Sequence, residues 1–71
     1  MNEHNKQMIE DLERTAHELL SHINELKSAH TAPELETAQE HLYADAVAMR
    51  EQSRALERHL NEDAQRVYLG G

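Results

Sequence analysis

The sequence predicts an all-α protein, a two-helix antiparallel hairpin that assembles as a homodimeric four-helix bundle. Three observations lead there. Apolar residues recur in alternating steps of three and four along most of the chain, as expected of helices that bury one stripe. A single interior stretch, Ser28 to Pro33, carries the signals that stop one helix and start another. The 71-residue chain has no Cys, Phe or Trp, so it lacks the disulfides and large rings that stabilise small domains and needs a second unit to bury its apolar surface.

Helix one is expected from about residue 3 to about residue 29. Its seam is Ile9, Leu12, Ala16, Leu19, Ile23 and Leu26, with Met8 and Leu20 widening the stripe. The turn falls at about residues 30–32. Thr31-Ala32-Pro33-Glu34 has the form of a capping box, in which the Thr31 hydroxyl accepts from the Glu34 amide and the Glu34 carboxylate reaches back to the Thr31 amide. Pro33 lies in the first turn, where its missing N–H costs nothing. Helix two is expected from about residue 33 to about residue 68, along the seam Leu35, Leu42, Ala46, Met49, Ser53, Leu56 and Leu60. Gln39 and Asp63 interrupt that seam, Val67 ends it, and Leu69-Gly70-Gly71 supplies a glycine stop. Residues 1–71 therefore form a single helical-hairpin domain.

Folding back at Thr31-Ala32 gives a trial register in which Ile23 faces Leu42, Leu19 faces Ala46, Ala16 faces Met49, Leu12 faces Ser53 and Ile9 faces Leu56. Three successive layers then pair a large residue with a small one, which lets antiparallel helices interdigitate. A lone hairpin leaves half of each seam in water. Each large apolar side chain contributes about 1.5–3 kcal/mol only when fully buried, so closure by a second copy is the expected assembly.

Fourteen acidic residues against seven Lys and Arg give a net charge of −7, interleaved along the chain. That balance disfavours nucleic acid as a partner, since such affinity comes mainly from phosphate neutralisation, although a local basic stripe keeps it open. The opening Met1 to Asn5 lacks a cationic segment followed by an apolar run, and no apolar stretch approaches the ~20 residues of a membrane span. The reading is a cytoplasmic protein with no membrane contact.

Six histidines, His4, His17, His22, His30, His41 and His59, are the most unusual compositional feature. Helical metal sites use ligands one turn apart in patterns such as His-x-x-x-His or Glu-x-x-His, and none of the six makes either pattern, so no metal and no cofactor is expected. His59-Asp63, His41-Asp45 and Glu18-His22 have the spacing of solvated pairs within one helix. His30, beside the turn, is the histidine expected to be partly buried. Imidazoles titrate near pH ~6.5, so protonation of all six would nearly cancel the net charge, and a pH switch is a second use for them. Catalytic residues are not expected: the chain has no Cys, no Gly-rich phosphate loop and no nucleophile elbow, so it is read as a non-enzyme.

A second line on helix two, Tyr43, Val47, Arg50 and Arg54, shares a face displaced from the seam. Tyr and Arg are enriched at interface hot spots, and guanidinium groups on an acidic molecule suit an acidic or amphipathic partner. The plainer reading is a solvated flank in which Arg54 pairs with Glu51 or Glu57. In architecture, the seam and turn of residues 9–60 resemble the plasmid-encoded Rop type of helical hairpin, which implies a dimeric four-helix bundle. The RNA binding of that family is not carried over, because Phe is absent and Arg50, Arg54 and Arg58 drift around the helix. The function expected is that of a small acidic regulatory or inhibitory protein, of the kind bacteria, their phages and mobile elements encode, acting on a second protein partner. The alternative is an RNA-binding or nucleotide-sequestering bundle.

Overall fold

The computed structural model describes the backbone of residues 2–70 and the side chains of residues 2–66. Two helices, α1 (Glu3–Ser28) and α2 (Ala32–Gly70), pack against each other as an antiparallel hairpin. The molecule is a rod of 59 × 15 × 13 Å. Its length is that of α2 alone, since 39 residues at a rise of about 1.5 Å each span about 58 Å.

Local chemistry sets the helix ends. Asn2 caps α1, its side-chain oxygen accepting from the Asn5 amide at 2.8 Å. Lys27 in the last turn complements the negative end of the helix dipole. The chain leaves α1 through an extended Ala29, whose amide still donates to the Leu26 carbonyl at 3.2 Å. Thr31 then caps α2: its hydroxyl accepts from the Glu34 amide at 3.2 Å and its carbonyl from the Leu35 amide at 3.0 Å. The return arm of the expected capping box is different. The Glu34 carboxylate accepts from the amide of His30, not Thr31, at 3.2 Å. His30 lies in the three-residue connection, where its amide has no helical carbonyl to use. At the far end α2 runs through Gly70, so Gly70 is not the expected stop. Gly71 and the side chains of Val67, Tyr68 and Leu69 lie outside the described residues.

Two hydrogen bonds fix the register of the hairpin. Asn5 donates through its amide to Asp63, and His22 is bonded through Nδ1 to Asp45. Stepping inward from Asn5–Asp63 in threes and fours gives the layers Met8–His59, Leu12–Leu56, Thr15–Gln52 and Leu19–Met49, and the next step lands on His22–Asp45. The same stepping continues to Leu26–Leu42 and Ala29–Ala38. None of these layer residues is exposed. The trial register was therefore displaced by three residues: Leu42 faces Leu26, Met49 faces Leu19 and Leu56 faces Leu12. From Leu12–Leu56 to the turn, large residues meet large ones, and the alternate layers carry small or polar pairs.

The displacement has a physical cause. The apolar stripe on each helix is wider than a two-helix contact can cover, and hydrogen-bonded polar residues at the same three-four spacing occupy the other half of the contact. Ile9, Ala16 and Ile23 follow Asn5, Leu12 and Leu19 by four residues and so flank that row on α1. Ala46, Ser53 and Leu60 flank Leu42, Met49 and Leu56 on α2 in the same way. In an antiparallel pair these flanks fall on one side of the hairpin, and Glu25 and His41, which touch across the seam, mark the opposite side. The 13 residues expected to form the oligomer core thus gather along one apolar side. Leu12, Leu19, Leu26, Leu42, Met49 and Leu56 form its half-buried floor, while Ile9, Leu35, Ala46, Ser53 and Leu60 are exposed at its edges. Among the described residues Ala38 is the only buried apolar side chain, so the hairpin alone does not bury its leucines.

Candidate functional site

The opposite side of the hairpin is polar and brings histidines and carboxylates of the two helices together. Its centre is the layer His22–Asp45. Asp45 is 6% exposed, a buried position that a carboxylate tolerates only with a hydrogen-bonded partner. His22 supplies that partner from α1. The hydrogen bond to Asp45 holds the His22 imidazole above its ordinary value of 6.5; partial desolvation opposes the rise, and the charges of Asp45, Glu25 and Glu18 add to it.

One turn along α1 from His22, Glu25 reaches across to His41 of α2, with Nδ1 to Oε2 at 3.1 Å. The His22 and His41 rings stand 4.8 Å apart between centroids, tilted by 40°. His22, Glu25, His41 and Asp45 therefore form one cluster, two residues from each helix. Within it, donor atoms of His22, Glu25 and His41 all lie within 4.8 Å of one another, close enough to converge on a single ion. Beside the cluster, towards the turn, an open hollow is lined by Glu25, Ser28, Pro33, Glu34 and Thr37.

Spacing along one helix gave no signal for this cluster. The expected pairs His41-Asp45 and Glu18-His22 do not form among the described residues; His41 and His22 each turn across the hairpin to a carboxylate of the other helix. The expected His59-Asp63 pair is likewise replaced. Asp63 takes the amides of Asn5 and, at 3.3 Å, Asn2, while His59 lies 3.9 Å from Glu62 and packs edge-on against His4. His30 is exposed, not partly buried, because the connection carries it away from the seam. A signal was present in the sequence: histidines and carboxylates recur on both helices at seam spacing, and a register three residues different brings them together.

The line Tyr43, Val47, Arg50 and Arg54 is exposed along its whole length, Tyr43 at 74% and Val47 at 39%. It runs along the outer shoulder of α2 next to the apolar side, and Leu20, 60% exposed, holds the matching shoulder on α1. No ion pair among the described residues involves Arg50 or Arg54, so the expected pairing of Arg54 with Glu51 or Glu57 is not formed. Among the described residues no helix is long and apolar enough to cross a membrane. In comparisons with known proteins, no family model, no curated protein and no solved structure matches this chain.

Proposed function

We propose that the protein is a small, acidic, non-enzymatic regulatory or inhibitory protein that works by association: a second copy closes its apolar side into a four-helix bundle, and the outer surface engages another protein. The observation that supports this reading is the open apolar side. Six large side chains form its floor without any of them becoming buried, and Ile9, Leu35 and Leu60 stand 37%, 42% and 39% exposed at its edges. A contiguous apolar strip of this length is a surface that water-exposed monomers rarely keep.

A second copy of the chain suits that strip. The register places Leu20 of α1 nearly level with Val47 of α2, and Glu13 nearly level with Arg54. When two hairpins stack on their apolar sides with α1 of one over α2 of the other, Val47 meets Leu20 and Arg54 meets Glu13 on both shoulders. Tyr43 and Arg50 stay at the rim, where they are available to a further partner.

Solution mass tests the assembly: sedimentation equilibrium is expected to give twice the chain mass, and Ile23→Glu, which puts a charge on the strip without touching a seam pair, is expected to give a monomer with reduced helicity. A folded wild-type monomer would overturn the dimer. Affinity capture with the tagged wild type against Tyr43→Ser/Arg50→Glu tests the regulatory reading. Loss of one specific protein with the variant supports it, and recovery of RNA in place of protein sinks it.

A further inference from the structure

We propose that the polar side of the hairpin is a zinc-class metal site, in which His22, His41 and Glu25 bind one divalent transition ion that clasps α1 to α2. The three donors come from both helices at one level of the rod, and their donor atoms already lie within 4.8 Å of one another. A tetrahedral ion with bonds of about 2.0–2.1 Å holds its donors about 3.4 Å apart, so binding draws the three side chains closer together. The two side chains that must move most freely are free to do so: the His41 and Glu25 side chains are 46% and 40% exposed.

His22 is preset for the role. Its Nδ1 is engaged by the nearly buried Asp45 carboxylate, which fixes the tautomer with the proton on Nδ1 and leaves the Nε2 lone pair as the metal-binding atom. A carboxylate behind a metal-binding imidazole is the usual way a ring is oriented and made more basic. The His22 and His41 rings lie beside each other, 4.8 Å between centroids, so the two imidazoles border one shared space.

The surroundings favour a cation over the bare cluster. Glu25 and Asp45 carry negative charge into the site, and no Lys or Arg among the described residues pairs with either. Two imidazoles and one carboxylate match zinc, cobalt or nickel rather than calcium or magnesium, which prefer all-oxygen shells. Three protein donors leave a fourth position for water, and the hollow at Glu25 gives solvent a route to it. Because the donors straddle the seam, an ion bound to the folded hairpin and not to the unfolded chain stabilises it by mass action.

The test uses the full chain stripped with EDTA and desalted, titrated with zinc chloride against a chromogenic chelator at pH 7.5, with thermal melts in parallel. The expected result is one zinc per chain, a melting midpoint raised by several degrees in excess zinc, and no competition from millimolar magnesium. His41→Ala, at an exposed position that leaves the helices intact by circular dichroism, is expected to weaken binding at least tenfold, and Asp45→Asn by about 10–100-fold. The double variant His4→Ala/His59→Ala is expected to bind as wild type. Absence of zinc binding at about 100 μM overturns the proposal. So does a stoichiometry of one ion per two chains, or affinity that follows His4 and His59 instead of His22 and His41.

Discussion

On one side of the hairpin, Leu12, Leu19, Leu26, Leu42, Met49 and Leu56 lie half covered by one another, with Ile9, Ile23 and Leu60 beside them. On the other, His22 holds Asp45 and His41 holds Glu25, while Asn5 and Asp63 close the open end of the leucine row with a hydrogen bond of their own. The polar side satisfies its groups within one chain, because a hydrogen bond is complete once its two partners meet. The apolar side cannot do so, because its stabilisation scales with area removed from water, and two helices remove too little. Register belongs to the polar side; the drive to associate belongs to the apolar one.

The largest blow to that division of labour comes from Leu19→Ala, which hollows the middle of the apolar floor. The expected cost is about 2–4 kcal/mol in chemical denaturation, with a midpoint that depends on protein concentration. A loss below about 0.5 kcal/mol, typical of a surface position, would mean that the floor stays wet.

A smaller effect of opposite sign is expected within the polar row. Gln52 lies opposite Thr15, and its Oε1 is buried without a hydrogen-bond partner among the described residues, while the Thr15 hydroxyl is spent on the Asp11 carbonyl at 3.1 Å. Gln52→Leu removes an unsatisfied acceptor and is expected to stabilise by about 1 kcal/mol, or about 4–8 °C in the melting midpoint. A decrease would show that the amide is satisfied in solution.

Proton linkage offers a gentler probe. His22 titrates above its ordinary value of 6.5 in the folded chain because Asp45 accepts its hydrogen bond. Its contribution is therefore complete below the unfolded value and is lost as pH rises through the raised one. In metal-free buffer the melting midpoint is expected to fall as pH rises from about 6.5 upward, and His22→Gln is expected to flatten that slope. A slope that persists in the variant would assign it to another group. Least of all should Tyr43→Ser matter to stability, within about 0.5 kcal/mol, since it touches neither row.

The helices and their connection were legible because periodicity and the Thr31–Glu34 signals are local. The direction of the seam was not. Asn5, Thr15, His22, Asp45, Gln52 and Asp63 follow the same three-four spacing as the leucines, and hydropathy finds the centre of the apolar stripe, not the centre of the contact. An offset of one row follows, and with it the three-residue error in register. The His22, Glu25, His41 and Asp45 cluster was hidden for the same reason. Its members are neighbours only across the hairpin, so no spacing within one helix could reveal them, and the trial register set His22 opposite Tyr43.

The short connection also sets an order of events during folding. Only Ala29, His30 and Thr31 separate the helices, so the first layers close small loops, and each closed layer shortens the next. His22 meets Asp45 across 23 residues, whereas Asn5 meets Asp63 across 58. The hairpin is therefore expected to zip from the turn outward. In stopped-flow measurements, changes near Leu26 and Leu42 are expected to slow folding, and changes at Asn5 and Asp63 to speed unfolding.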